Sequence, residues 1–196
     1  STTDNKPNPF TFTDQTNVAL SAVVTFSEIK VSGLNTPSTI TVVGGKYSIN
    51  GGSYTNTVGI VNNDDTVKVQ HTSSASYATK TDTTLTIGGV SDTFTSTTVA
   101  KDTTPNAFSF TDQTGVALST VVTSNEITIT GINVATPISV SNGKYSLNGG
   151  AYTGTAGTVK SGDKVKVQQT SSASYSTKID TVLTIGGISD TFSSTT

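Results

Sequence analysis

Leu85-Thr86-Ile87-Gly88-Gly89-Val90-Ser91-Asp92-Thr93-Phe94 is the stretch that decides the fold. Apolar and hydroxyl residues alternate through it, the pattern of strands with one buried and one wet face. The Gly-Gly pair between Ile87 and Val90 supplies the positive φ of a primed two-residue turn, so the stretch reads as a tight hairpin. In that register Ile87 faces Val90 and Leu85 faces Asp92. Asp92 then shares a face with Val90 and Phe94, which should be core. A buried carboxylate is costly unless it is hydrogen-bonded. Either a β-bulge at Ser91 turns it outward, or it binds loop amides at the rim.

Outward from the hairpin the same alternation recurs. Glu28-Ile29-Lys30-Val31-Ser32 and Thr39-Ile40-Thr41-Val42 alternate, and Thr66-Val67-Lys68-Val69-Gln70 places its valines on one face. Gly44-Gly45, Asn50-Gly51-Gly52 and Asn62-Asn63-Asp64-Asp65 punctuate the strands. No segment has a sustained helical period. The hairpin also returns as Leu183-Thr184-Ile185-Gly186-Gly187, and Phe10-Thr11-Phe12-Thr13-Asp14-Gln15-Thr16 returns as Phe108-Ser109-Phe110-Thr111-Asp112-Gln113-Thr114. The spacing, about 98 residues, is too long for a solenoid repeat and suits a whole β-sandwich. From Asp4/Asp102 to Thr98/Thr196 the copies align without a gap, about two-thirds of positions being identical. The expected architecture is all-β, two tandem Greek-key sandwiches spanning residues 1–98 and 99–196, with about seven to nine short strands in each.

The strings FTFTDQT (from Phe10), YSINGGSYT (from Tyr47), DTVKVQHTSSASY (from Asp65) and LTIGGVSDTFTSTT (from Leu85) resemble the immunoglobulin-like modules repeated along large bacterial surface proteins and adhesins. The resemblance covers both copies almost end to end. It implies an immunoglobulin-like sandwich in a stalk or adhesin context, extracellular or on a cell surface, with neighbouring repeats of the same array as partners. It supplies no catalytic residues.

Composition narrows the classes. Of the 196 residues 32% are apolar and only 12% charged, and Ser and Thr make up about a third. Thr suits a half-solvated strand surface. Arginine is absent and the net charge is −2, so nucleic acid has no electrostatic footprint to bind. The apolar runs are too short for a membrane-inserted helix. Without cysteine there are no disulfides and no zinc thiolate site. Ser1-Thr2-Thr3 matches the close of each copy and methionine is absent, so the chain reads as a piece of a longer array.

Catalysis is not expected. His71, the sole histidine, has Gln169 as its counterpart and reads as an exposed residue at a strand end. No serine has a histidine or lysine arranged to activate it, and the only glutamates are Glu28 and Glu126, one per copy. Lys30, Lys46 and Lys68 alternate outward, away from any acid that could cross-link to them. No cofactor is expected. Asp102 and Asp163 are the weak candidates for calcium, which needs six to eight oxygens. Sugar sites favour exposed aromatic platforms; Tyr54, Tyr77, Tyr152 and Tyr175 lie near loops and are the candidates, while Tyr47 and Tyr145 should face the core.

The expected role is a non-catalytic spacer. The alternatives are a self-assembling filament subunit that accepts a strand at an open sheet edge, and an adhesive module whose loops hold a glycan or a protein. The joint Val99–Ala107 contains no glycine. Pro105 and the β-branched residues around it stiffen it, and Phe108 is expected to begin the first strand of the second copy; the sequence therefore predicts an elongated molecule.

Overall fold

The computed structural model describes residues 2–196; Ser1, part of the opening triplet, lies outside the described residues. The chain divides between Ala100 and Lys101 into two compact units, here domain 1 and domain 2. The described residues contain strands and no helix. In domain 1 these are β1 (Gln15–Val18), β2 (Val23–Thr25), β3 (Ile29–Lys30), β4 (Ser38–Val43), β5 (Lys46–Ile49), β6 (Gly59–Val61), β7 (Thr66–Thr72), β8 (Lys80–Ile87) and β9 (Val90–Thr98). Domain 2 repeats them as β10 (Gln113–Thr114), β11 (Val121–Thr123), β12 (Ile127–Thr128), β13 (Thr136–Ser141), β14 (Lys144–Leu147), β15 (Gly157–Val159), β16 (Lys164–Thr170), β17 (Lys178–Ile185) and β18 (Ile188–Thr195).

The hairpin forms as its sequence requires. Ile87 pairs with Val90 and Leu85 with Asp92. Gly88 and Gly89 have φ of 53° and 82°, the left-handed pair of a type I′ turn. Gly88 is needed twice over, because a Cβ there would strike the carbonyl of Asn5 and the Ser38 hydroxyl. The bulge considered at Ser91 does not occur: the β8–β9 register runs unbroken from Lys80↔Thr97 to Ile87↔Val90.

Around this hairpin the chain shuttles between two sheets. One sheet has the order β1-β9-β8-β4-β6; the other is built on β7, with β2 and β3 along one side and β5 along the other. The consecutive strands β4, β5, β6 and β7 lie in alternate sheets, so β8–β9 is the one hairpin between sheet neighbours in the domain. β2 and β3 are two halves of one strand. Val24 pairs with His71 and Ile29 with Val67, and Phe26 donates its N–H to the Val69 carbonyl, so Phe26-Ser27-Glu28 oppose only Val69 and Lys68. This one-residue bulge changes the parity of the strand, which buries Val24 and Phe26 before it and Ile29 and Val31 after it. Domain 2 has the same topology. Each domain is an immunoglobulin-like β-sandwich.

The core lies between the sheets and is separate in each domain. In domain 1 Ile40, Tyr47, Val61, Val67, Val69, Leu85, Ile87 and Phe94 are buried with Val24, Phe26, Ile29, Val31 and Leu34. Domain 2 buries Ile138, Tyr145, Val159, Val165, Val167, Leu183, Ile185 and Phe192 at matching positions. Tyr47 and Tyr145 face inward as expected, and their hydroxyls donate to the carbonyls of Thr57 and Thr155. Phe108 does not begin a strand. The first strand of domain 2 starts at Gln113, because side chains rather than a ladder hold the segment before it: Phe110 donates its N–H to Asp190 and Thr111 to Asn125.

Removing a ring from one core should therefore leave the other intact. Phe94→Ala is expected to cost domain 1 about 3–5 kcal/mol and to leave the domain 2 midpoint in place. A urea titration followed amide by amide by NMR reads both domains in one sample; a matching fall in domain 2 would show that the cores are coupled.

Candidate functional site

The arrangement that sets each domain apart from a simple stack of hairpins is the clasp between its first and last strands. β1 runs parallel to β9, with Gln15 opposite Ser96 and Val18 opposite Thr98, and Val99 donates its N–H to the Val18 carbonyl. A bulge between Gln15 and Val18 accompanies Asn17 at φ 57°. In domain 2 Gly115 takes that position, and Gln113 and Thr114 pair with Ser194 and Thr195.

Two carboxylates extend the clasp beyond the ladder. Asp14 accepts the N–H of Thr95 at 2.9 Å, and Asp92 accepts the N–H of Phe12 at 2.6 Å. Asp112 and Asp190 repeat the pair on Ser193 and Phe110, at 2.8 and 2.6 Å. The half-buried acid among core residues is thus explained: Asp92 binds an amide of the segment that crosses the rim. A charge-assisted bond to a backbone N–H is stronger than a neutral one, and here it holds the segment ahead of the first strand to the last strand in both domains.

The His71 reading is corrected. His71 is 5% exposed and sits on the core face of β7 in register with Val67 and Val69. Its Nδ1 lies 2.8 Å from the Thr83 hydroxyl and its Nε2 lies 2.6 Å from the Ser96 hydroxyl. Its ring stacks on Phe94 at 4.9 Å. Ser96 thus lies directly against the ring. The pair has no access to substrate, because Ser96 is fully buried. In domain 2 Gln169 fills the same place, binding the Ser194 and Thr181 hydroxyls. An amide cannot act as a base, so the shared role of the position is to tie β7 of one sheet to β8 and β9 of the other.

The calcium candidates are tied into turns. Asp102 accepts the N–H of Thr104. Asp163 accepts the Lys160 N–H and the Asn148 side chain, which together hold its carboxyl below the ordinary aspartate range. No cluster of three or more metal-ligating side chains occurs among the described residues. Of the loop tyrosines, Tyr54, Tyr77 and Tyr152 are partly buried and Tyr175 is 81% exposed. Glu28 pairs with Lys68, and Glu126 with Lys164 and Lys166, all at the surface. Each domain also has a shallow cleft at the same place, about 310 Å³ beside Gly45, Lys46 and Gln70 in domain 1 and about 440 Å³ beside Gly143, Lys144 and Gln168 in domain 2.

No protein-family profile matches the chain, and no curated protein matches it. Among solved structures it is similar to the titin domains Z1Z2 in complex with telethonin, at 16% identity over 99% of this chain and 96% of that one, with a TM-score of 0.45. It is also similar to the D0-D1 domain of intimin, at 12% identity over 96% and 95% of the two chains and a TM-score of 0.31. An endo-fucoidan hydrolase of glycoside hydrolase family 107 aligns at 14% identity over 99% of this chain and 30% of that one, with a TM-score of 0.28.

Asp92→Ala removes the acceptor for the Phe12 amide and is expected to destabilise domain 1 by about 1–3 kcal/mol. Amide exchange is the sharper measurement: Phe12 should lose its protection while Phe110 keeps it. Chelation supplies a separate test. With EDTA both domain midpoints should stay where they are; a fall that calcium restores would assign metal to Asp102 or Asp163.

Proposed function

We propose that this chain is a pair of load-bearing spacer repeats from an extracellular surface protein, the partners of each domain being further copies in the same array. The tandem immunoglobulin-like fold is consistent with a structural or spacer role. The observation that carries the proposal is the direction of the clasp. β1 and β9 are parallel, as are β10 and β18. Tension applied at the two ends of a domain pulls the start of β1 one way and the end of β9 the other, so it acts along the ladder and loads its bonds together. The bonds of Asp14 and Asp92 lie at the same junction and share that load. An antiparallel pair pulled from adjacent ends would open one bond at a time.

The remaining surface suits the role. The ion pairs are exposed and worth little to stability, and the outer strand faces present hydroxyls, with Thr84 bonded to Thr93 and Thr86 to Ser91 across the hairpin. The filament reading is less favoured: the outer strand β6 is three residues long, and the open side of β5 is bridged at Tyr47↔Thr55. An adhesive reading would rest on Tyr175 in domain 2, whose ring stands in solvent.

Single-molecule stretching of the whole chain tests the proposal. Two unfolding events are expected, each releasing on the order of 300 Å of chain. Asp14→Ala with Asp92→Ala should lower the force of one event and leave the other unchanged. Unfolding of both domains at forces too small to resolve would remove the load-bearing role.

A further inference from the structure

The two domains answer one packing problem with different chemistry. Near the end of β7 or β16 a buried polar side chain reaches across to hydroxyls on the opposite sheet. In domain 1 it is His71, between Thr83 on β8 and Ser96 on β9. In domain 2 it is Gln169, between Thr181 and Ser194. Glutamine has no proton to gain in the physiological range and histidine has one.

The proton inventory around His71 suits the neutral ring. The Thr83 hydroxyl donates to the Gly44 carbonyl at 3.1 Å, which leaves its oxygen to accept Nδ1–H. The Ser96 hydroxyl then donates to the bare Nε2 at 2.6 Å. A second ring proton would force the Ser96 hydroxyl to turn and accept instead of donating, at a nearly buried ring stacked on Phe94. The site is mechanically placed as well. Ser96 is the residue that Gln15 of β1 faces across the clasp.

We infer that domain 1 carries an acid-sensitive lock, His71, whose protonation loosens the tie between its sheets beneath the β1–β9 clasp, whereas Gln169 makes domain 2 indifferent to the same acidification. The inference does not rest on the spacer reading.

The titratable and charged groups on the elements around His71 are few. β8 carries Lys80 and Asp82, β9 carries Asp92, β5 carries Lys46 and Tyr47, β7 itself carries Lys68, and β2 has none. Asp92 is bonded to the Phe12 amide and Tyr47 to the Thr57 carbonyl. Lys46 lines the same cleft as His71. Asp82 is the one group whose attraction favours the imidazolium, and it is exposed and bonded to Thr95. Burial outweighs it and holds the His71 imidazole below its ordinary value. The unfolded chain therefore binds the proton first. The stability that neutral His71 contributes is complete above the unfolded value of about 6.5 and is lost as pH falls from there toward the depressed folded value.

The full chain provides its own control. Of the acids in domain 1 only Asp64 lacks a carboxylate counterpart in domain 2, where Gly162 stands. Urea unfolding is followed by NMR in both domains of one sample at about pH 7.5 and about pH 5, and the ring signals of the single histidine are titrated in the folded chain. On acidification the unfolding constant of domain 1 should rise relative to that of domain 2, by up to about tenfold per pH unit, the slope of one proton taken up on unfolding. His71→Gln should abolish the difference, and Gln169→His should confer it on domain 2. A folded-state ring that titrates at its ordinary value overturns the inference even if neither variant folds. So does a relative shift that survives in His71→Gln, which would assign the effect to the carboxylates held low in one copy, Asp64, Glu126 and Asp180, and so does the absence of any shift in the parent chain.

Discussion

A backbone N–H withdrawn from water must find an acceptor, and every other feature of these two sandwiches is arranged around that demand. The sheets satisfy it along their ladders. At the margins, where the chain leaves one sheet for the other, side chains take over. Asp14 and Asp92 serve Thr95 and Phe12, Ser73 accepts from Ala22 and donates to Ala19, and Asp65 and Asn50 close the turn into β7. All of these bonds except the one within the Asn62–Asp65 turn connect segments well separated in sequence, so the same groups that satisfy the backbone also fix the topology. Among the described residues no buried side-chain nitrogen or oxygen lacks a partner, which matters in a core that admits so many hydroxyls.

Much of this could be read from the sequence. The hairpin register followed from Gly88-Gly89 and the alternation on either side, and the rim role of Asp92 was one of the two readings its position allowed. Other features were hidden for identifiable reasons. The bulge at Phe26-Ser27-Glu28 changes parity within one strand, and only the β7 partner reveals that Val24 and Ile29 face the same way. Phe108 looked like a strand start because it repeats an alternating string, yet its neighbours are held by Asp190 and Asn125. The burial of His71 is legible in its strand. Val67, Val69 and His71 share one parity, so extending the valine face by one step would have buried it. The deterrent was its polarity, and the partners that make burial tolerable, Thr83 and Ser96, lie on strands that sequence does not place.

The internal duplication shows which positions are chemistry and which are only volume. The clasp carboxylates, the inward tyrosines and the serines at Ser73 and Ser171 are the same in both copies and make the same bonds. Phe26 and its counterpart Ser124 solve the bulge differently. The ring packs edge-on against Phe12 at 4.8 Å, whereas the Ser124 hydroxyl accepts the Val167 N–H. Asn17 and Gly115 both reach the left-handed conformation that the β1 bulge needs. Where backbone geometry is demanding the substitutes are few; where a void must be filled, several side chains serve.

The parallel pairing of β1 with β9 also governs when a domain can become whole. Its first strand emerges early and has no partner until the last strand arrives, some eighty residues later. The β8–β9 hairpin, the single local pairing of sheet neighbours, is itself among the last segments made. Closing so long a loop is slow relative to forming local contacts. A chain delivered N-terminus first, whether from a ribosome or through a narrow pore, therefore stays open and threadable for nearly the whole length of each repeat and shuts at its end. Assembly then advances in discrete steps of one repeat.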